Sequence, residues 1–123
     1  MPWKLGLVAM TEAGAWIATG TPFSEAELPA VFRALSNPAR RQILVWLKEP
    51  MSFPGQEPDD IEIGVCATDI QQRAGLGQST TSQYLAILRQ AGLVVATRRG
   101  KWTYYRRDEA NIALLLETLR DVF

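Results

Sequence analysis

The chain has 123 residues, 47% of them apolar and 21% charged, and its formal net charge is zero. That is one domain by size, with room for a single core, and its overall charge does not point to a nucleic-acid partner. It has one cysteine, Cys66, and no histidine, which excludes an internal disulfide framework and histidine-dependent catalysis and leaves no ordinary ligand set for zinc.

No run of 18 apolar residues occurs, so no membrane span is expected. Lys4 followed by Leu5 to Met10 has the outline of a signal peptide, but the run is short and Glu12 interrupts it. A cytoplasmic location is therefore expected. Residues 1–23 read as an N-terminal arm or a short hairpin. Gly6, Gly14 and Gly20 oppose a long helix, and Lys4 to Met10 and Ala15 to Thr19 suit two short strands about a Thr11–Gly14 turn.

Residues 24–123 read as the working domain. Ser24 suits an N-cap, and Leu28, Val31, Phe32 and Leu35 follow at helical spacing. Ser36-Asn37-Pro38 ends that helix and starts a second, with Asn37 as cap and Pro38 in the first turn. Ile43, Leu44 and Leu47, with Trp46 alongside, form its buried stripe, and Pro50 stops it. Glu49 to Asp60, with three prolines, is a loop, and Ile61 to Val65 alternates as a short strand.

Ala67 to Ala74 is the next helix, capped by Thr68 or a neighbour, with Ile70 and Ala74 inward. Gly75-Leu76-Gly77 is a tight break. A longer helix runs from Gln78 to Gln90 on a Tyr84, Leu85, Leu88 stripe, and Gly92 ends it. Leu93 to Thr97 and Lys101 to Arg106 form a hairpin about Arg98-Arg99-Gly100. A final helix, capped by Asp108, carries the stripe Ile112, Leu115, Leu116 and Leu119. The fold class is mainly α with a small β-hairpin wing: a winged helix-turn-helix with a three-helix core and flanking N- and C-terminal helices.

A helix, a glycine-containing turn and a second helix form the DNA-binding signature, and the second helix enters the major groove by its N-terminal end. Here that end is Gln78, Ser79, Thr80, Thr81, Ser82 and Gln83, whose hydroxyls and amides can bond base edges and phosphates. The same six residues would equally suit a solvated helix start. Charge decides between the two readings. From Ile70 to Arg107 there are seven basic residues (Arg73, Arg89, Arg98, Arg99, Lys101, Arg106 and Arg107) and no acid. Zero net charge thus hides a basic half, the electrostatic footprint of a DNA contact. Arg98, Arg99 and Lys101 at the hairpin tip, with Arg89, complete the expected DNA-binding set, while Trp102, Tyr104 and Tyr105 are read as packing residues of the wing.

Phe32 to Leu44, Thr81 to Val94 and the wing Arg98 to Tyr105 together resemble the ArsR/SmtB repressor family, in order, over residues 28 to about 120. The resemblance implies a homodimeric repressor that binds double-stranded operator DNA, pairs through its first and last helices (Leu28 to Leu35 and Ile112 to Leu119), and lets go on a signal. Two departures bear on that signal. Many members carry a cysteine pair ahead of the recognition helix; Cys66 is retained here, but Thr68 stands in the second place. Others bind zinc on the last helix through Asp and His; Asp108 is present without a histidine. The resemblance therefore carries DNA binding and not metal sensing, and no metal or cofactor is expected. Cys66 reads first as a small buried hydrophobe, then as a thiol sensor, then as a metal ligand shared across a dimer. The inducer is unknown; the Pro-rich loop is a candidate border for its site. The alternative function is a winged-helix protein-interaction module without DNA binding, and an enzyme is not expected.

Overall fold

The computed structural model describes residues 8–10, 16–18 and 26–123. Its first pair of strands, β1 (Val8–Met10) and β2 (Trp16–Ala18), is antiparallel with Ala9 opposite Ile17. This is the hairpin alternative for the N-terminal segment; residues 11–14, assigned to its turn, lie outside the described residues, as does Ser24. β2 runs beside the C-terminal helix.

Helix α1 (Leu28–Leu35) starts with Glu27 at its N-cap and Pro29 in its first turn. It buries Leu28, Val31 and Ala34, while Phe32, assigned to the inward stripe, is 45% exposed. Helix α2 (Pro38–Leu47) has the expected cap: Asn37 Oδ1 accepts from the Arg40 backbone N–H. It ends at Leu47, before Pro50, and Pro50–Ser52 and Pro58–Asp60 form two 3-10 turns within the loop.

The strand expected over Ile61 to Val65 is corrected to β3, Val65–Cys66. The N–H groups of Ile63 and Gly64 both bond Asp60 O, so the alternation of Ile61 and Ile63 belongs to a turn. Gly64 sits at φ +109°, and a Cβ there would lie 2.3 Å from Tyr105 O. Only glycine lets this turn meet the sheet.

Helices α3 (Ala67–Ala74) and α4 (Gln78–Gln90) have the expected bounds. Cys66 holds the N-cap position of α3 without a side-chain bond, in place of Thr68. α4 closes in a Schellman motif: Gly92 N bonds Arg89 O and Leu93 N bonds Leu88 O, with Gly92 at φ +81°. Strands β4 (Val94–Arg99) and β5 (Trp102–Arg107) pair from Val94–Arg107 to Arg99–Trp102, and the three-stranded sheet has the order β3-β5-β4. The wing turn is thus Gly100-Lys101, with Gly100 at φ +62° in the first place of a two-residue loop.

The final helix, α5 (Glu109–Val122), is capped by Asp108 as expected. Its buried face is Asn111, Leu114, Leu115 and Thr118. The stripe assigned to it is corrected: Leu115 is buried, Ile112 and Leu119 are half-buried, and Leu116 is exposed. Buried Asn111 explains the shift, because its amide donates to Gly92 O and turns that face towards the start of the wing.

The core lies where α1 to α5 meet the sheet. Val31, Ile43, Ile70, Leu85, Leu88, Leu93 and Leu114 are each at most 1% exposed. Burying one such side chain contributes about 1.5–3 kcal/mol, so this cluster is what holds α3 and α4 at a set angle.

Candidate nucleic-acid interface

The candidate reading unit is built from α3, the Gly75-Leu76-Gly77 turn and α4. Gly75 is left-handed (φ +66°), and Leu76 N reaches back to Gln71 O, which ends α3 within one residue. Gly77 then serves as the α4 N-cap with no side-chain bond, and no acid occupies the first turn of α4. The first N–H groups of α4 and its positive dipole end are thus met by no side-chain cap and no acid, the arrangement that favours an anion.

Around that end, Gln78, Ser79, Ser82 and Gln83 are exposed and Thr80 is half-buried. Thr81 differs. It is buried, and its hydroxyl donates to Gly77 O at 2.9 Å. Its side chain fastens the turn to the helix and does not face outward with its neighbours.

On the wing, Arg98, Arg99 and Lys101 are exposed, though Arg98 and Arg99 belong to β4 and only Lys101 stands in the turn with Gly100. Arg98 Nε donates to Gly100 O at 3.0 Å and braces that turn. The Lys101 ammonium lies 5.3 Å from the centre of the exposed Trp102 ring. Arg89 sits in the last turn of α4, about 16 Å along the axis from Gln78. There its charge complements the helix C-terminus, and it is not gathered with the residues of the first turn. Two of the remaining basic residues are already engaged. Arg107 pairs with Glu109 at 2.6 Å, and the Arg73 guanidinium lies 4.6 Å from the ring centres of Trp46 and Phe53.

One group of positioning residues was missed in the sequence. Arg40 is 7% exposed; its Nε donates to Ala34 O and its terminal nitrogen to Arg33 O. It also lies 5.1 Å from the Tyr84 ring centre, and Asn37 Nδ2 donates to the Tyr84 hydroxyl. This joins the end of α1 and the start of α2 to α4. An arginine beside a cap reads as surface charge, so only the spacing Asn37-Pro38-Ala39-Arg40 hinted at it.

Cys66 is a half-buried free thiol at the junction of β3 and α3, opposite Tyr104. Among the described residues no three His, Cys, Asp or Glu side chains gather in a way that could hold a metal, and no helix is long and apolar enough to cross a membrane.

Comparison with known proteins agrees with this geometry. Residues 65–95, which span β3 to β4, match the family model described as bacterial regulatory protein, arsR family. The HTH-type transcriptional regulator YbzH of Bacillus subtilis is 52% identical over 92 residues, 73% of this chain and 92% of that protein. The biofilm growth-associated repressor of Xylella fastidiosa is 31% identical over 97 residues, 79% of this chain and 74% of that one. A homodimeric winged helix-turn-helix DNA-binding domain of Mycobacterium bovis superposes with a TM-score of 0.54 at 28% identity, covering 78% of this chain and 80% of that one. With the winged helix-turn-helix in place and relatives this close along most of their length, the chain belongs to the ArsR family of DNA-binding transcriptional regulators.

Proposed function

We propose that the protein is a homodimeric repressor that holds an operator with α4 and the wing and releases it on a signal. The observation that carries this reading is the first turn of α4: uncapped N–H groups, no acid, and the exposed amides and hydroxyls of Gln78, Ser79, Ser82 and Gln83. The basic wing residues Arg98, Arg99 and Lys101 would contact the flanking phosphates. The alternative, a protein-binding winged helix, calls for an apolar reading face, and the exposed positions at the start of α4 are polar.

Pairing through α1 and α5 is supported by what those helices leave uncovered. Phe32 is 45% and Leu116 57% exposed, and Leu35, Leu44, Ile112 and Leu119 line an apolar groove at Leu116. The Mycobacterium bovis relative is a homodimer. Two reading helices in a dimer would lie about 34 Å apart, one turn of DNA.

A mobility-shift titration on the DNA upstream of the protein's own gene, with mass measured by light scattering, tests both parts. A dimer that prefers this DNA over scrambled sequence is expected. Leu116→Glu is expected to give a monomer with much weaker binding, and a Leu116→Glu protein that stays dimeric removes α5 from the interface. Cys66 is the candidate thiol sensor. If Cys66→Ser still releases DNA on oxidation as the parent does, the thiol is structural.

A further inference from the structure

We propose that the cleft between α3 and the loop of residues 50–55 binds a small zwitterion of the amino-acid type, its carboxylate on Arg73 and its ammonium on Asp69. The cleft is about 430 Å³ and is lined by Ser52, Pro54, Asp69, Gln72 and Arg73. That volume lies within the range of small-molecule sites, and a free amino acid fits it with room for its side chain.

Arg73 is held ready. Its guanidinium lies 4.6 Å from the ring centres of both Trp46 and Phe53, which meet edge to face. Contact with both rings holds the guanidinium in place and leaves N–H groups to make bonds. One of its five N–H donors goes to Ser52 Oγ at 2.9 Å. The others suit a carboxylate, which guanidinium binds in a bidentate, charge-assisted way.

Asp69 supplies the opposite charge. It stands four residues before Arg73 on α3, a spacing at which such a pair ordinarily meets. The ion pairs among the described residues are Arg107–Glu109 and Arg120–Glu117, so Asp69 and Arg73 are not paired with each other. The two rings draw Arg73 aside, and the half-buried Asp69 carboxylate is left facing the same cleft without a partner. Opposite charges that stand unpaired side by side on one wall of a cleft suit a molecule that carries both. Gln72 adds a free amide, and Pro54 an apolar wall for the ligand side chain. The site does not depend on the DNA reading, although α3 is the helix that supports α4.

The test is an amide NMR titration of the full chain with the twenty common amino acids. For any amino acid that binds, the matched acid without its amine and the matched amine without its carboxylate follow. At least one amino acid is expected to shift the amides of Ser52, Asp69, Gln72 and Arg73 saturably at millimolar concentration. Both half-ligands, and the parent ligand with Asp69→Asn, are expected to bind about tenfold more weakly or worse. Asp69→Asn removes the charge and keeps the shape of the side chain, so α3 should stay folded, as the same spectra show. No shift with any amino acid, shifts that map elsewhere, an acid that binds as well without its amine, or undiminished binding by Asp69→Asn would each overturn the proposal.

Discussion

Arg40 lies against the ring of Tyr84, 5.1 Å from its centre, and through that contact the end of α1 is tied to α4, the proposed reading helix. Arg40 also donates to two carbonyls of the last turn of α1, Ala34 O and Arg33 O, the second of which also accepts from the Ser36 N–H and hydroxyl. Arg40→Met keeps the stem and removes both bonds. It is expected to cost about 2–3 kcal/mol, because buried Ala34 O is left unpaired. Tyr84→Phe keeps the ring and loses only the bond from Asn37, so it should cost less than about 1 kcal/mol. Urea unfolding of the two variants checks the order; a larger loss for Tyr84→Phe than for Arg40→Met would show that the hydroxyl, and not the guanidinium, carries the joint.

Thr81 and Ser82 are neighbours with opposite tasks. Thr81 is buried and bonded to Gly77 O, so Thr81→Ala should lower stability by about 1 kcal/mol and leave the preference among DNA sequences in place. Ser82 and Gln83 are exposed. Replacing both with Ala should remove sequence preference with little change in melting temperature. Competition binding with operator and scrambled DNA separates the two. Preference kept in the Ser82, Gln83 double variant would move the reading residues elsewhere on α4.

On the proposed reading the wing is expected to contribute charge and not sequence readout. Arg99 and Lys101 are exposed with no acid partner, whereas Arg107 is already paired with Glu109. Arg99→Ala and Lys101→Ala should each reduce the slope of log affinity against log salt by about 0.9 for every phosphate that is no longer neutralised, equally for operator and random DNA. Arg107→Ala should leave the slope nearly unchanged. A slope that responds to Arg107 and not to Arg99 would place the phosphates at the base of the wing.

Gly64→Ala is expected to be among the most damaging small substitutions. Its φ of +109° is open to glycine alone, and the new Cβ would meet the Tyr105 carbonyl of β5. A loss of more than about 2 kcal/mol is expected, against a total stability on the order of 5–15 kcal/mol. Thermal unfolding within a degree or two of the parent would mean that the turn from Asp60 to Gly64 relocates at little cost.

Where local signals were strong, the sequence alone determined the outcome. Asn37-Pro38, Gly75, Gly92 and Asp108 each work within a few residues of themselves, through a cap or a left-handed φ, and the start of α2, the ends of α3 and α4 and the start of α5 follow from them. The polar run from Gln78 and the segregation of basic residues into the second half were likewise readable as they stand. What tertiary structure decided is how each side chain is used. Alternation made Ile61 to Val65 look like a strand, but Gly64 has to approach β5, and that partner is 41 positions away in the chain. The stripe on α5 was displaced because Asn111 is claimed by Gly92 O, and Thr81 was drawn out of a polar run by the Gly77 carbonyl. Arg40 and Arg73 are both arginines in a sequence full of them. One is buried against Tyr84, and the other lies against Trp46 and Phe53 at the edge of a cleft. Periodicity and caps are local and can be read along the chain. The role of a long charged side chain depends on which carbonyls and rings the fold brings within its reach.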